Sequence, residues 1–509
     1  MENLQRVTSL PKNMPTQMPL PKDLQGAQKL KWAPFAGRNL SYFFTYMHLR
    51  ETYGKLYEKL IGIRFTFLFV EGNANKWQMY RASSESERLE TFVYEKTKDA
   101  AYIRDILQRS GNGFEKYRQY AEQKRGKNYA GANTKELADA LRTECHIYLN
   151  MLVGVSCAII FASALARRLQ ETVPEQAVAQ MALPLHMTLP LEEEIAFWKM
   201  VAQLQKEKIK KIHDVEKPPS PLKSAIQAHF DAYCWMDAYE NEPTWKMDDL
   251  VSRINEALEK DGEQKVHGLQ ARHDANEKLV HDTAKKYGVS KQQLAQFRLA
   301  MYYRILGESL VGLANHASAP LFSAIAKKLL LPRNQIKWFS DEELLGALDG
   351  TLQTDELLSR LPERRKHYVI ALGEKQVHAF QGQEAQAFLD QLDIENPVVV
   401  DVKEVKGVSA YPGKVTGYAR VVQHVGQLDK VKTGDILVTL NTTPSFIMAM
   451  KRASAIVTDE GGITCHAAIV SRELGIPCII GTKSGTRLIP DGAKVEVDAA
   501  AGTVRKIEE

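Results

Sequence analysis

Residues 457–481 read VTDEGGITCHAAIVSRELGIPCIIG and place Gly461, Gly462, Thr464 and His466 within one short stretch. Those residue types suit a phosphoryl group. Glycine lets the backbone approach a ligand closely. A threonine hydroxyl can hydrogen-bond its oxygens, and a neutral imidazole is a nucleophile. The local pattern predicts a strand at 455–457, a glycine loop at 459–463 and a helix from about Cys465 to Leu474, with Thr464 as its N-cap. Gly475 and Pro477 mark the helix stop, and Ile479 with Ile480 begins another strand. His466 then lies in the first turn of a helix, where unpaired N–H groups and the positive dipole end attract an anion. The same field disfavours imidazolium and keeps the ring neutral near pH 7. Covalent phosphoryl transfer needs such a histidine. A helix-capping loop around a buried polar histidine would show the same spacing, so spacing alone leaves both readings open.

The elements around this stretch divide the chain near residue 400. Of the aromatic residues only Tyr411, Tyr418 and Phe446 lie beyond it, whereas twelve of the 31 glycines do. A tail rich in Gly, Val and Ile predicts strands and tight turns. Before it the pattern predicts helix after helix. Asn133 with Glu136, Ser290 with Gln293, and Ser340 with Glu343 resemble capping boxes. Glu192, Glu193 and Glu194 open another helix whose far end carries Lys206, Lys208, Lys210 and Lys211, an order that complements the dipole. The stretch EKPPSP at 216–221 is a breaker, and a connection is expected at about 395–407. The aromatic run 42–46, with His229, Trp235 and Trp245, reads as core.

The stretch GGITCHAAIVSRELGIP resembles the phosphohistidine signature of the phosphoenolpyruvate-utilising enzymes, among them phosphoenolpyruvate synthase, pyruvate phosphate dikinase and rifampicin phosphotransferase. The resemblance continues through YPGKVTG at 411–417, GDILV at 434–438, TTP at 442–444, KRASAIVT at 451–458, DG at 491–492 and VEVD at 495–498. It covers about 405–505. It implies a compact β/β/α swivelling domain whose histidine takes a phosphoryl group, normally the β-phosphate of ATP, and swings to a second site. Carried over, the phosphorylated residue is His466, and Gly461, Gly462 and Thr464 form the phosphate-binding loop. Arg472 and Glu473 match the family without an assigned role. Helix spacing puts Glu473 below His466 and turns Arg472 away.

The departures from the family shape the rest of the reading. Complete members carry an ATP-grasp domain, and dikinase-type members add a barrel. The helical pattern before residue 395 lacks the Gly-rich strands of an ATP-grasp fold, and too few residues follow His466 for a barrel. Weaker resemblance, over about 190–395, links this region to helical regions that precede the module in members without a barrel. In rifampicin phosphotransferase such a domain holds the acceptor.

The expected fold is therefore α+β. A flexible segment covers 1–25, helical domains cover 26–190 and 191–395 (the second as the acceptor-binding region), a hinge covers 396–407, and the swivelling domain covers 408–509. The expected function is a phosphotransferase subunit with His466 as carrier. ATP and Mg²⁺ are expected on a partner ATP-grasp protein, with no cofactor held by this chain, and the acceptor is a small molecule. A non-catalytic or regulatory helical binding protein with a retained phosphohistidine module is the alternative. A complete kinase with a divergent nucleotide site among the helices is a third reading.

Composition narrows the remaining classes. Lys and Arg total 67 against 62 acidic residues, and the net charge of +5 forms no basic stripe, so no nucleic-acid partner is expected. Five cysteines without a CxxC pair read as reduced thiols of a cytoplasmic protein. No GxxxxGK[ST], GxGxxG or HExxH occurs, which leaves no expected metal site. The uncharged run 151–166 is shorter than a membrane-spanning helix needs and reads as a buried core helix, so no membrane contact is expected.

Overall fold

Reciprocal side-chain bonds at Asn133 and Glu136, Ser290 and Gln293, and Ser340 and Glu343 open the helices Thr134–Leu169, Lys291–Lys328 and Asp341–Leu348. Each pair satisfies amides that a first helical turn leaves without partners. This arrangement comes from a computed structural model that describes residues 19–37, 41–50, 56–74, 77–184, 186–212, 222–236, 245–394, 404–423 and 425–507.

The two longest helices, Thr134–Leu169 and Lys291–Lys328, pack along each other, and Ala100–Lys124 packs on both. Phe114, Phe161 and Phe297 are fully buried in the core they share. Among the described residues, Thr134–Leu169 is the helix long and apolar enough to cross a membrane, yet 72% of its most apolar window is buried inside the protein. Its apolar residues are covered by neighbouring helices, as in a buried core helix. The run Tyr42–Met47 is likewise core: Phe43 meets Phe322 edge to face at 5.1 Å.

The expectation of helix after helix before residue 395 needs correction. Six strands form a sheet here: β1 (Lys31–Gly37), β2 (Leu68–Gly72), β3 (Trp77–Ala82), β4 (Tyr368–Leu372), β5 (Val377–Gln381) and β6 (Asp393–Ile394). Their order is β5-β4-β2-β3-β1-β6. Antiparallel pairing of β2 with β4 sets Leu68 opposite Leu372 and Gly72 opposite Tyr368. The stretches 26–190 and 191–395 therefore share one sheet and one large core, instead of forming two helical domains. The physical reason is length. LFVEG and YVIAL are short, largely buried apolar runs, which periodicity does not separate from pieces of buried helix. A smaller core, with Phe197, Val201, Leu250 and Ile254, joins the helices Leu189–Lys206 and Met247–Ala257.

The expected flexible segment is also only partly described. Leu20 and Leu24 are buried with Trp32, Phe69 and Phe388, so residues 19–25 pack onto the sheet. Residues 1–18, the breaker 216–221 and hinge positions 396–403 lie outside the described residues.

The tail forms a second sheet of β7 (Glu404–Lys406), β8 (Val408–Tyr411), β9 (Lys414–Val422), β10 (Ile436–Thr439), β11 (Ala455–Thr458), β12 (Cys478–Ile480), β13 (Lys494–Asp498) and β14 (Thr503–Lys506). The order is β7-β14-β13-β9-β10-β11-β12-β8, with β9 to β12 parallel and the other pairs antiparallel. Alternation along β10 and β11 builds two cores. Leu437 and Ile456 pack with Ala467 and Val470 of the helix His466–Leu474. Ile436, Val438, Ala455 and Val457 pack with Val495 and Val497. Three layers result, antiparallel strands, parallel strands and helices. β7 belongs to this sheet, and the Gly407 N–H donates to Gly502 at 2.9 Å, so residues 404–407 of the expected hinge are already part of the module.

Candidate active site

β11 delivers the chain to the glycine loop. The carboxylate of Asp459 accepts from the Thr482 hydroxyl at 2.7 Å and the Thr486 N–H at 3.1 Å, which fixes the loop's base. Gly461 has φ +113°, and a Cβ there would lie 2.7 Å from Cys465 Sγ. Only glycine fits that backbone. At Gly462 a Cβ would meet nothing within 4 Å, because the residue lines an open cavity. The helix runs His466–Leu474 and ends at left-handed Gly475, as its sequence predicts.

Thr464 differs from expectation. The N-cap is Cys465, with no side-chain cap bond. The Thr464 hydroxyl instead accepts from Arg304 Nη1 at 3.2 Å and lies 3.4 Å from the Ser163 hydroxyl, both on the helical region. Its oxygen serves the interface between module and helices, so it does not cap. Cys465 is a thiol whose pKa burial pushes up, which keeps it protonated and a poor nucleophile.

His466 is buried, with 4% of its surface exposed. Its Nδ1 lies 2.9 Å from Thr442 Oγ1. The tautomer in which Nδ1–H donates to Thr442 leaves the lone pair on Nε2, which makes that nitrogen the nucleophile. Thr442 belongs to the TTP run noted in the sequence, but its role depends on a contact across 24 positions. Gly461, Gly462, Thr464 and His466 all line one cavity, so the expected site residues do come together.

Arg472 and Glu473 gain roles from the fold. Arg472 Nε donates to Ala410 O at 3.1 Å and its Nη2 to Ile463 O at 2.6 Å, tying the loop to β8. Burial lowers its pKa to about 10, which still leaves it charged at neutral pH. Glu473 is bonded by the Thr188 hydroxyl of the helical region, and burial raises its pKa from 4.5 to about 8. Between those values the folded chain holds a proton that the unfolded chain has lost. The contribution of Glu473 to stability is therefore complete below the lower value, declines as pH rises and is gone above the higher one. Glu473→Gln is expected to flatten this decline. The check is the melting temperature of both proteins from about pH 5 to about pH 9; parallel profiles would refute it.

A buried ion cluster also fastens the module. Lys451 Nζ donates to Glu193 Oε2 at 2.6 Å and also pairs with Glu194, while Arg253 Nη1 reaches Glu193 Oε1 at 2.6 Å. Burial alone would raise the pKa of Glu193, but Lys451 and Arg253 outweigh it and hold the carboxyl well below its usual range. His229, expected as core, is buried 3.0 Å from the same carboxylate.

The docked surfaces enclose a cavity of about 600 Å³. One wall is the glycine loop with His466; the others come from the helical region and the six-stranded sheet, with Arg304 and Glu308 of Lys291–Lys328 among them. Neither Arg304 nor Glu308 carried any motif in the sequence. Among the described residues no group of three His, Cys, Asp or Glu side chains could hold a metal ion.

Comparison with known proteins bears on the module. Residues 431–502 match the family described as PEP-utilising enzyme, mobile domain. Over 100 residues the chain is 53% identical to a probable phosphoenolpyruvate synthase of Methanothermobacter thermautotrophicus, covering 20% of this chain and 15% of that protein. Over 102 residues it is 56% identical to the phosphoenolpyruvate synthase of Pyrococcus furiosus, covering 20% and 12% respectively. The chain thus spans about an eighth of the length of such relatives. A solved structure, aconitase X of Thermococcus kodakaraensis in its holo-form, matches at 24% identity over 21% of this chain and 98% of that one, with a TM-score of 0.18. The glycine loop and the histidine at the helix start lie within the stretch 431–502 that is similar to the mobile domain of phosphoenolpyruvate-utilising enzymes.

Proposed function

We propose that this chain is a phosphotransferase subunit that carries a phosphoryl group on Nε2 of His466 and passes it to a small molecule held against the helical region. The observation that carries the reading is the position of His466 in the docked module, buried against a cavity whose other walls belong to the helical region. Two in-line displacements replace a single transfer between distant sites. In the first, the Nε2 lone pair attacks the β-phosphorus of ATP and AMP leaves, and water then removes the γ-phosphate as inorganic phosphate, so that the β-phosphoryl group stays on Nε2. In the second, the acceptor oxygen attacks phosphorus and the neutral imidazole leaves. Both steps use the tautomer in which Nδ1–H donates to the Thr442 hydroxyl, 2.9 Å away. Arg472 holds the loop in place while the charge moves.

His466 is 4% exposed in the docked module, so loading by a partner protein requires the module to leave the helical region. The nucleotide, with its Mg²⁺, is placed on a partner ATP-grasp protein, and the cytoplasm is the expected compartment. The test is mass spectrometry at mildly alkaline pH after incubation with ATP labelled at its β-phosphate and an extract of the native cells. Phosphoramidates survive base and are lost in acid, so an acid-labile label on the His466 peptide is the expected result. A protein that stays unlabelled with extract present would overturn the reading.

A further inference from the structure

We infer that the face of the module packed against the helical region is also the face by which the nucleotide-binding partner recognises it, and that this partner presents an apolar socket beside carboxylates. This rests on the carrier reading above and names the surface and the chemistry of the protein that fits it. The two occupants exclude each other, so the helical region holds the carrier in an autoinhibited form.

Three short segments build the face. On the helix His466–Leu474, positions 466, 469 and 473 follow at three and four residues and so lie on one side. His466 lines the cavity, Ile469 is buried in the large core of the helical region, and Glu473 is bonded by the Thr188 hydroxyl. Ile463 of the glycine loop enters the same core. The third segment is Ile447–Arg452, which sets Ile447 among Trp235, Met236 and Leu313, with 1% of its surface exposed. One turn on, the Lys451 side chain is 11% exposed and paired with Glu193 and Glu194.

Attack by Nε2 needs phosphorus within about 3.5 Å. A protein that brings it there must cover Ile463 and Ile469, the apolar neighbours of His466 on its own loop and helix, and so takes the place of the helical region. A standard interface buries about 800 Å² per partner, a patch about 30 Å across. Thr442 Oγ1 is 2.9 Å from His466 Nδ1. The chain from Thr442 to Ile447 makes one tight helical turn at Pro444–Phe446 and spans at most about 13 Å. Contact centred on His466 therefore reaches Ile447, with Lys451 at its rim. Covering Ile447 strips water from Lys451, and a desolvated ammonium requires anionic partners. Glu193 and Glu194 meet that demand in the docked form. The nucleotide-binding partner must bring carboxylates of its own.

The test uses the full chain, ATP labelled at its β-phosphate and an extract of the native cells, and takes the initial rate of acid-labile label on the His466 peptide. Hydrogen exchange of the helix His466–Leu474 reports release of the module. Trp235→Ala weakens the docked form from the helical side and leaves the module's face intact. It should raise exchange and speed loading about tenfold, and Met236→Ala replaces it if it does not fold. Ile447→Ser weakens the same contact from the module's side and damages the face. It should also raise exchange, yet slow loading about tenfold or more. Lys451→Gln should do the same, and it decides the matter if Ile447→Ser does not fold. Acceleration by the module-side variants would overturn the shared face. Raised exchange without faster loading in the helical-side variant would overturn the exclusion. Labelling by ATP without extract would overturn the protein partner and leave His466 as carrier. A wild-type chain that stays unlabelled with extract would overturn the carrier reading itself.

Discussion

His466→Asn is expected to abolish phosphoryl uptake while the module stays folded. Asparagine keeps a polar amide within reach of Thr442 and fits a first helical turn, but it has no basic nitrogen with a lone pair for phosphorus. The neighbouring groups offer no substitute. Cys465 is a half-buried thiol whose raised pKa keeps it protonated. Thr464 is a hydroxyl that accepts from Arg304. The covalent route is therefore lost outright, a change larger than the ~10²–10⁴-fold that removal of a general acid or base produces. Acid-labile label on the peptide spanning 459–474, compared between wild type and variant, measures it. Equal labelling would move the phosphoryl group to another residue and undo the assignment.

The second large effect is structural. Glu193 is almost fully buried and receives Arg253, Lys451 and His229 at once. Glu193→Ala strands two cations beside a single remaining carboxylate, Glu194. Removing one member of a buried ion cluster costs about 3–5 kcal/mol, because the partners stay desolvated without compensation. The loss should fall on the joint between Leu189–Lys206 and Ile447–Arg452, since Lys451 is the member supplied by the module. Hydrogen exchange of those two helices would register it as a drop in opening free energy of that size. Lys451→Met should cost less, as Glu193 then keeps Arg253 and His229, while still loosening the module. Acid should mimic the first variant. The depressed pKa of Glu193 means that its contribution is present above the ordinary value of 4.5 and is lost as pH falls through the folded one. Full protection of both helices in Glu193→Ala would show that the cluster does not hold the module.

The sequence by itself determined the parts that neighbouring residues specify. Three capping boxes opened helices where Asn133, Ser290 and Ser340 predicted them. Gly461 took the left-handed backbone that its loop requires, and Gly475 ended the helix that begins at His466. The strand expected at 455–457 formed as β11, Ala455–Thr458. These features are local: a cap, a turn or a strand face is decided by side chains a few positions apart.

What the tertiary structure alone decided lies in contacts between distant positions. LFVEG at 68–72 became a strand because YVIAL at 368–372 lay beside it, and nothing within either run announces the other. Thr464 looked like a cap until Arg304 and Ser163 took its hydroxyl. Thr442 acquired its place on His466 Nδ1 through the pairing of β10 with β11, and Arg304 and Glu308 came to line the same cavity as the glycine loop only because Lys291–Lys328 packs beside the module. Periodicity reports which face of an element is apolar; it does not report which other face will cover it. The glycine loop and the histidine at the start of its helix were therefore legible in the chain. The cavity it faces exists only where two separately patterned regions meet.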